Sequence, residues 1–363
     1  MHPSRTALAR TQRIVVKIGS RALANDAELI SNLAKEIAEL GTTKRTFVIV
    51  TSGAIALGAS RLGYKKRPKE MAKLQASAAA GQTVLMQRYA EAFGKNGRVT
   101  AQVLLTHADL ADRERVNNAR QALASLLEAG AVPVINENDT VATDEIRFGD
   151  NDQLAAMVTP LVGADLLLLL TDVDGVLDEA GNRIAVMNGD AKVACLPGDG
   201  PGVGGMESKI EAATKASRAG TAVVVAPALH ANVISDIIAG KDIGTLFPPH
   251  PTTLRARQHW IMYTLRPRGA VIVDDGAARA IKSGKSSLLP VGVIGVRGEF
   301  AVGDAVKLVT AQGLEIGRGL ARMGSTETAR AAGKKGAELG ALFSQTGGDA
   351  IVVVHRDDLV GTS

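Results

Sequence analysis

Apolar residues in the first part of the chain come in short runs rather than alternating one by one. Arg13–Ile18, Thr46–Val50, Val99–Leu105, Ala131–Ile135, Asp165–Leu170 and Ala222–Val225 are β-branched or leucine-rich stretches of strand length. Between them the spacing turns helical. Leu29, Leu33, Ile37 and Leu40 recur every three or four residues and end at Gly41; Lys69–Phe93, Asp112–Ala129, Asn151–Val162 and Met206–Ala219 are further helical stretches. Strands that are apolar throughout are covered on both faces, and their alternation with helices predicts an α/β fold around a mostly parallel sheet.

The pattern changes near residue 248. Pro248-Pro249-His250-Pro251 reads as a linker and Arg255–Leu265 as a short bridge. Beyond Gly269 the elements are short and separated by turn residues. Ala270–Val273, Val291–Val296, Asp304–Leu308 and Ile316–Leu320 read as strands, Thr326–Leu342 as a closing helix and Ala350–His355 as a last strand, giving a small β-rich domain. The expected division is a first domain over 1–260, a linker over 261–268 and a second domain over 269–363.

In parallel sheets ligands bind beyond the carboxyl ends of the strands. The polar groups of this chain gather there: Lys17 to Ser20, Ser52-Gly53, Asn136-Glu137-Asn138-Asp139 and Thr171-Asp172 each follow an apolar run. Lys17 interrupts such a run, and a lysine in an apolar strand is costly unless it meets an anion. Asp150, Asn151 and Asp152 open a helix; they suit a metal, an ammonium group or a lysine, and one of them suits an N-cap. Gly198–Lys209 is glycine-dense and also opens a helix, so its backbone N–H groups can cradle phosphate with Lys209 in the first turn. It is not a Walker A loop, because Met206 and not lysine follows Gly205. Gly200, Gly202 and Gly205 match the dinucleotide string, but no strand precedes them. Ser52-Gly53 lacks the flanking glycines of a nucleophile elbow, and the histidines show no metal-ligand spacing.

Composition narrows the class. The 363 residues are 46% hydrophobic and only 3% aromatic, so the core is aliphatic. The net charge of +5 is mild and suits small anionic ligands more than a polyanion. From Arg266 to Ser363 there are 13 Lys+Arg against 10 Asp+Glu, which is no basic patch and argues against a nucleic-acid partner. The single Cys195 excludes an internal disulfide; together with the absence of an apolar leader or membrane-length run, it makes a cytoplasmic protein the expectation.

Taken in order, these strings resemble a known set. Val15–Ser20, Val50–Ala56, Val132–Asp139, Phe148-Gly149-Asp150-Asn151-Asp152, Leu170-Thr171-Asp172 and Gly204-Gly205-Met206-x-x-Lys209 are similar to the motifs of the glutamate 5-kinases, within the amino acid kinase family. The likeness continues through Gly244-Thr245-Leu246-Phe247 and Ser286–Pro290 to His355-Arg356-Asp357-Asp358, over a second domain that resembles a PUA domain. It implies an amino-acid-kinase-like three-layer αβα sandwich and ATP-dependent phosphorylation of the side-chain carboxylate of L-glutamate, the first step of proline biosynthesis. By motif, Lys17 and Lys209 would be catalytic on the ATP phosphates, with Asp152 orienting them. Ser52, Gly53, Asn136, Asp139, Asp150 and Asn151 would line the glutamate site. Thr171, Asp172 and the segment Val203-Gly204-Gly205-Met206-Glu207-Ser208-Lys209 would hold ATP, with Mg2+ arriving alongside it and no resident metal site.

The same resemblance implies a homo-oligomer (dimer or tetramer), proline as feedback inhibitor, and transfer of the product to glutamate-5-semialdehyde dehydrogenase. The chain departs from the family pattern in carrying Val203 where a threonine is usual, Ser208 for the threonine before the lysine, and a shorter stretch over Val176–Pro201 in which Leu177-Asp178-Glu179 replaces the usual Tyr-Thr-x-x-Pro. The rival expectations are a kinase of another small acid in the same family and a non-catalytic RNA-binding or regulatory protein.

Overall fold

The computed structural model describes residues 2–26, 28–142, 151–187, 205–251, 253–283, 286–343 and 351–362. The chain forms two compact units, Met1–Thr253 and Leu254–Ser363.

The first unit is built on a seven-stranded sheet: β1 (Arg13–Ile18), β2 (Thr46–Val50), β3 (Thr100–Leu105), β4 (Val132–Glu137), β5 (Leu166–Thr171), β6 (Ala222–Pro227) and β7 (Thr245–Phe247). The order is β3-β4-β2-β1-β5-β6-β7, parallel throughout except for β7 against β6. Strand β7 escapes sequence reading because its three buried residues are too few to show a period. Strand β4 runs two residues past the expected Ile135, so Asn136 and Glu137 belong to the strand, opposite Leu104 and Leu105. Pro133 lies within it, and β4 pairs with β2 only from Val134 onward, where a backbone N–H is again present.

Period-two alternation sorts each strand's side chains between two apolar layers. Ile14, Val16, Ile18, Phe47, Ile49 and Leu168 pack with α1 (Leu29–Gly41), α3 (Met71–Gly94) and α7 (Val233–Ile238). Val15, Val48, Val50, Leu167 and Leu169 pack with α4 (Arg113–Glu128), α5 (Asn151–Val162) and α6 (Met206–Arg218). The result is a three-layer αβα sandwich. Lys17, two residues after Val15, therefore stands on the side of α5 and α6.

Helix α2 (Ala54–Arg61) crosses α3 with almost no separation. A Cβ on Gly58 would lie 1.7 Å from the Ser77 carbonyl oxygen, and one on Gly81 would lie 1.8 Å from that of Ala54. Only glycine permits this approach, and it fixes where the first turn of α2 sits.

The second unit holds β8 (Gly269–Val273), β9 (Val293–Arg297), β10 (Ala305–Thr310), β11 (Glu315–Ala321) and β12 (Val354–Gly361) in the order β12-β11-β10-β8-β9, with only β8 and β10 parallel. Val271, Leu308, Ile316 and Val354 form its core with Ile281 of α8 (Asp275–Ser283). Two expectations are corrected here. The closing helix is two helices, α9 (Ser325–Ala331) and α10 (Gly336–Leu342), with Gly333 between them at φ +74°, a left-handed conformation that no helix continues through. The last strand is Val354–Gly361 and not Ala350–His355. Its charged residues hid it, because Asp358 is buried by hydrogen bonds from Arg257 Nε at 2.7 Å and Arg322 Nη2 at 2.9 Å. Among the described residues no helix is long and apolar enough to cross a membrane.

Candidate active site

The strand order reverses its direction at β1. From β1 the chain builds β2, β3 and β4 on one side, then returns to lay β5 on the other. Such a reversal opens a crevice at the carboxyl ends of the strands, here β1 and β5. Lys17 lies near the end of β1, Asp152 on the first turn of α5 and Lys209 on the first turn of α6. Their charged ends meet. Lys17 Nζ is 2.5 Å from Asp152 Oδ1, and Lys209 Nζ is 3.1 Å from Asp152 Oδ2. All three are buried, at 6%, 0% and 7% exposure for Lys17, Asp152 and Lys209. Burial alone would push the Asp152 carboxyl up; the charges of Lys17 and Lys209 outweigh it and hold it below its ordinary range. Two cations around one anion leave a local excess of positive charge, which suits a polyanionic ligand.

Next to Asp152, Asn151 points elsewhere, as consecutive residues on a helix must. Its Nδ2 donates to the Thr51 carbonyl oxygen at 2.7 Å, to Ser52 Oγ at 2.8 Å and to Asn136 Oδ1 at 3.1 Å. Asn136 Nδ2 in turn donates to Gln82 Oε1 at 2.9 Å. Ser52, Asn136 and Asn151 wall a cavity of about 410 Å³ whose lining also includes Gly53 and Asp139. Gly53 sits at φ +100°, which a side chain would strain, and it turns β2 directly into α2. Ala54, Ile55 and Ala56, whose N–H groups begin that helix, also line the cavity. Asp139 faces it too, its carboxyl pushed up to about 6 by burial, with the Arg67 charge opposing.

On the other side of β1, Thr171 ends β5 and donates from Oγ1 to Asp172 Oδ1 at 3.0 Å. Asp172 also pairs with Arg21 at 3.5 Å. Gly205 precedes α6, whose first turn carries Met206, Glu207, Ser208 and Lys209. Asp150, Val203 and Gly204 lie outside the described residues, as do Cys195 and most of the glycine-dense segment. Among the described residues, no group of three or more histidine, cysteine or acidic side chains is placed to hold a metal ion.

Ser20 and Glu137, from the polar groups at the strand ends, also line the cavity; so do Lys65, Lys66 and Arg67, which carry no such sequence signal. The Lys65-Lys66-Arg67 run sits in a turn-rich stretch and passes for a solvated loop, although it follows a helix opened by a left-handed glycine. Gln153 accepts from Lys215 Nζ at 2.6 Å and donates to Glu211 at 3.2 Å, tying α5 to α6. Gln82 and Tyr89 look like incidental polar positions in an alanine-rich helix; both support the cavity from behind.

The sequence profile of the amino acid kinase family matches residues 12–227, and that of the PUA domain matches residues 269–342. The glutamate 5-kinase of Trichlorobacter lovleyi is 44% identical over 97% of this chain and 97% of its own length. Those of Pelobacter propionicus and Streptomyces coelicolor are each 42% identical, covering 97% and 99% of this chain and 98% and 99% of their own lengths. With the parallel sheet, the buried lysine pair and the appended second unit, this places the chain in the amino acid kinase family, among the glutamate 5-kinases that carry a PUA domain.

Proposed function

We propose that this kinase binds L-glutamate in the cavity lined by Ser52, Gly53, Asn136, Asp139 and Asn151, and ATP along Thr171, Asp172 and the start of α6, with the buried lysine pair between them. Asp150, Val203 and Gly204 are assigned to the same two sites by their place in the family motifs. An oxygen of the glutamate side-chain carboxylate attacks the γ-phosphorus of ATP. The bond from that phosphorus to the β–γ bridging oxygen breaks, ADP leaves with the electron pair, and L-glutamyl 5-phosphate forms. The nucleophile is already an anion, so no general base is required.

The difficulty is electrostatic, because two negative reactants must approach. Lys17 and Lys209 offset that repulsion and stabilise the charge spreading over the transferred phosphoryl oxygens. Asp152 holds both ammonium groups in place and keeps them from folding onto other acceptors. The N–H groups at the start of α2 and the Ser52 hydroxyl suit a substrate carboxylate, and Asp139 suits the α-ammonium group. Mg2+ belongs to the reaction as the counter-ion of ATP and supplies further charge neutralisation. Both Asp152 oxygens are engaged by lysines, so the residues present fit an ion held chiefly by the phosphates. We also assign a cytoplasmic homo-oligomer, dimer or tetramer, inhibited by proline and feeding its labile product to glutamate-5-semialdehyde dehydrogenase; family membership supports these assignments.

The observation that carries the reading is one buried aspartate bridging two buried lysines at the reversal point of the sheet. The test is a coupled ATP-consumption assay with Mg2+ and L-glutamate, aspartate or N-acetylglutamate. Turnover with glutamate and little with the others is expected. No glutamate-dependent turnover would sink the proposal.

A further inference from the structure

Helix α3 lends no residue to the cavity of about 410 Å³, yet two of its side chains reach the amide cluster from behind. Gln82 and Tyr89 are seven residues apart and so share a face. Tyr89 Oη lies 2.8 Å from Thr51 Oγ1, and Gln82 Oε1 receives Asn136 Nδ2 at 2.9 Å. Both residues are buried.

The orientation of the amides follows from backbone groups that have only one role. The Thr51 carbonyl oxygen can only accept, so the group of Asn151 that faces it at 2.7 Å is the NH2. The Glu137 N–H can only donate, so Asn136 turns its carbonyl oxygen toward it at 3.0 Å. That same oxygen receives Asn151 Nδ2 at 3.1 Å. The NH2 of Asn136 is thereby aimed at α3, where the Gln82 oxygen takes it. At the far end of the chain of bonds, Asn151 Oδ1 is buried, with no hydrogen-bond partner among the described residues.

We infer that Gln82 is a positioning residue that holds the Asn136 amide, and through it the Asn151 amide, in the orientation the Glu137 N–H and the Thr51 carbonyl require. By receiving the Asn136 NH2 it keeps the Asn136 oxygen on the Asn151 NH2, at the wall of the cavity. The inference rests on the reading that this cavity takes the amino-acid substrate. Without the Gln82 oxygen, the Asn136 NH2 is buried with nothing to receive it. Turning the Asn136 amide over would set that NH2 against the Glu137 N–H and the Asn151 NH2, so neither orientation satisfies the cluster.

The test uses the full chain, varying L-glutamate at saturating ATP and ATP at saturating L-glutamate. Gln82→Met removes the acceptor at similar volume, and Gln82→Glu keeps an oxygen facing Asn136. Gln82→Met is expected to raise the glutamate KM roughly tenfold and leave the ATP KM within about twofold. Gln82→Glu is expected to restore the glutamate KM to within about threefold of the parent. If Gln82→Met does not fold, Gln82→Asn, whose oxygen falls one methylene short, carries the same expectation.

A parent-like glutamate KM in the variants lacking the acceptor, or a Gln82→Glu variant as impaired as they are, overturns the inference and leaves Gln82 a packing residue. Asn151→Ala separates the two levels. A raised glutamate KM there with a parent-like one in Gln82→Met overturns the Gln82 role alone, whereas a parent-like KM in Asn151→Ala removes the cavity reading and the inference together.

Discussion

Asn151 and Asp152 are neighbours in sequence and serve two buried clusters of opposite character. Asp152 sits among charges, with an ammonium group on each carboxylate oxygen. Asn151 sits among neutral amides, a hydroxyl and a backbone carbonyl. Charge is strong and weakly directional, so the Asp152 cluster suits a group whose charge grows during reaction. Amide hydrogen bonds are weaker but directional, so the Asn151 cluster suits a substrate that must be recognised and aimed. One helix start thus divides electrostatic work from orientational work between two adjacent positions.

The largest expected effect comes from removing the centre of the charged cluster. Asp152→Ala leaves two buried lysines without their shared anion, and losing one partner of a buried ion pair costs about 3–5 kcal/mol. Denaturant unfolding is the measurement; a variant within about 1 kcal/mol of the parent would show that the lysines do not depend on this carboxylate. The pH dependence has a definite sign. The Asp152 carboxyl is held below its ordinary range, so its contribution is fully present above the unfolded value of about 3.9. It is lost as the pH falls through the lowered folded value.

Lys209→Ala comes next and separates the clusters kinetically. A donor aimed at developing charge is typically worth about 100–1,000-fold in kcat. The expected result is a kcat loss of that order with a glutamate KM changed only a few-fold. An unchanged kcat would remove the lysine from the transition state, and a large rise in glutamate KM with kcat intact would move it to the amide side of the comparison.

The charged cluster was more legible in the sequence than the neutral one, for a physical reason. A lysine inside an apolar strand violates the local pattern, and so does a run of polar groups at a helix start. Each violation is visible without knowing its partner, and the parallel-sheet rule then brings the strand ends together. Lys17, Asp152 and Lys209 could be named that way once the motif resemblance joined them. The amide cluster depends on Gln82 and Tyr89, which break no pattern in a long alanine-rich helix. Their role exists only through the α2–α3 crossing at Gly58 and Gly81, a backbone approach that two helical glycines suggest weakly. In the second unit the same limit appears at β12, where Asp358 reads as a loop residue until Arg257 and Arg322 are found around it.

The smallest effect concerns Asp139, which brings a charge to the amide side and so blurs the division. Its carboxyl is pushed up to about 6 by burial against the opposing Arg67 charge, so the empty site loses this anion as the pH falls below that value. If Asp139 receives the substrate ammonium group, kcat/KM for glutamate must fall on the acid side. The loss approaches about tenfold per pH unit below about 6, because kcat/KM reports the free enzyme. In kcat the same limb shifts to lower pH, since a bound ammonium group favours the ionised carboxylate. Stability moves the opposite way: the folded state holds this proton more tightly than the unfolded chain, so the Asp139 contribution weakens as the pH rises through about 4 to 6. Asp139→Asn should flatten the acid limb, lower the plateau of kcat/KM roughly tenfold, and remove that part of the stability slope. An acid limb that persists in Asp139→Asn would assign the titration to another group. The amide cluster would then recognise its substrate without an ionised partner at Asp139.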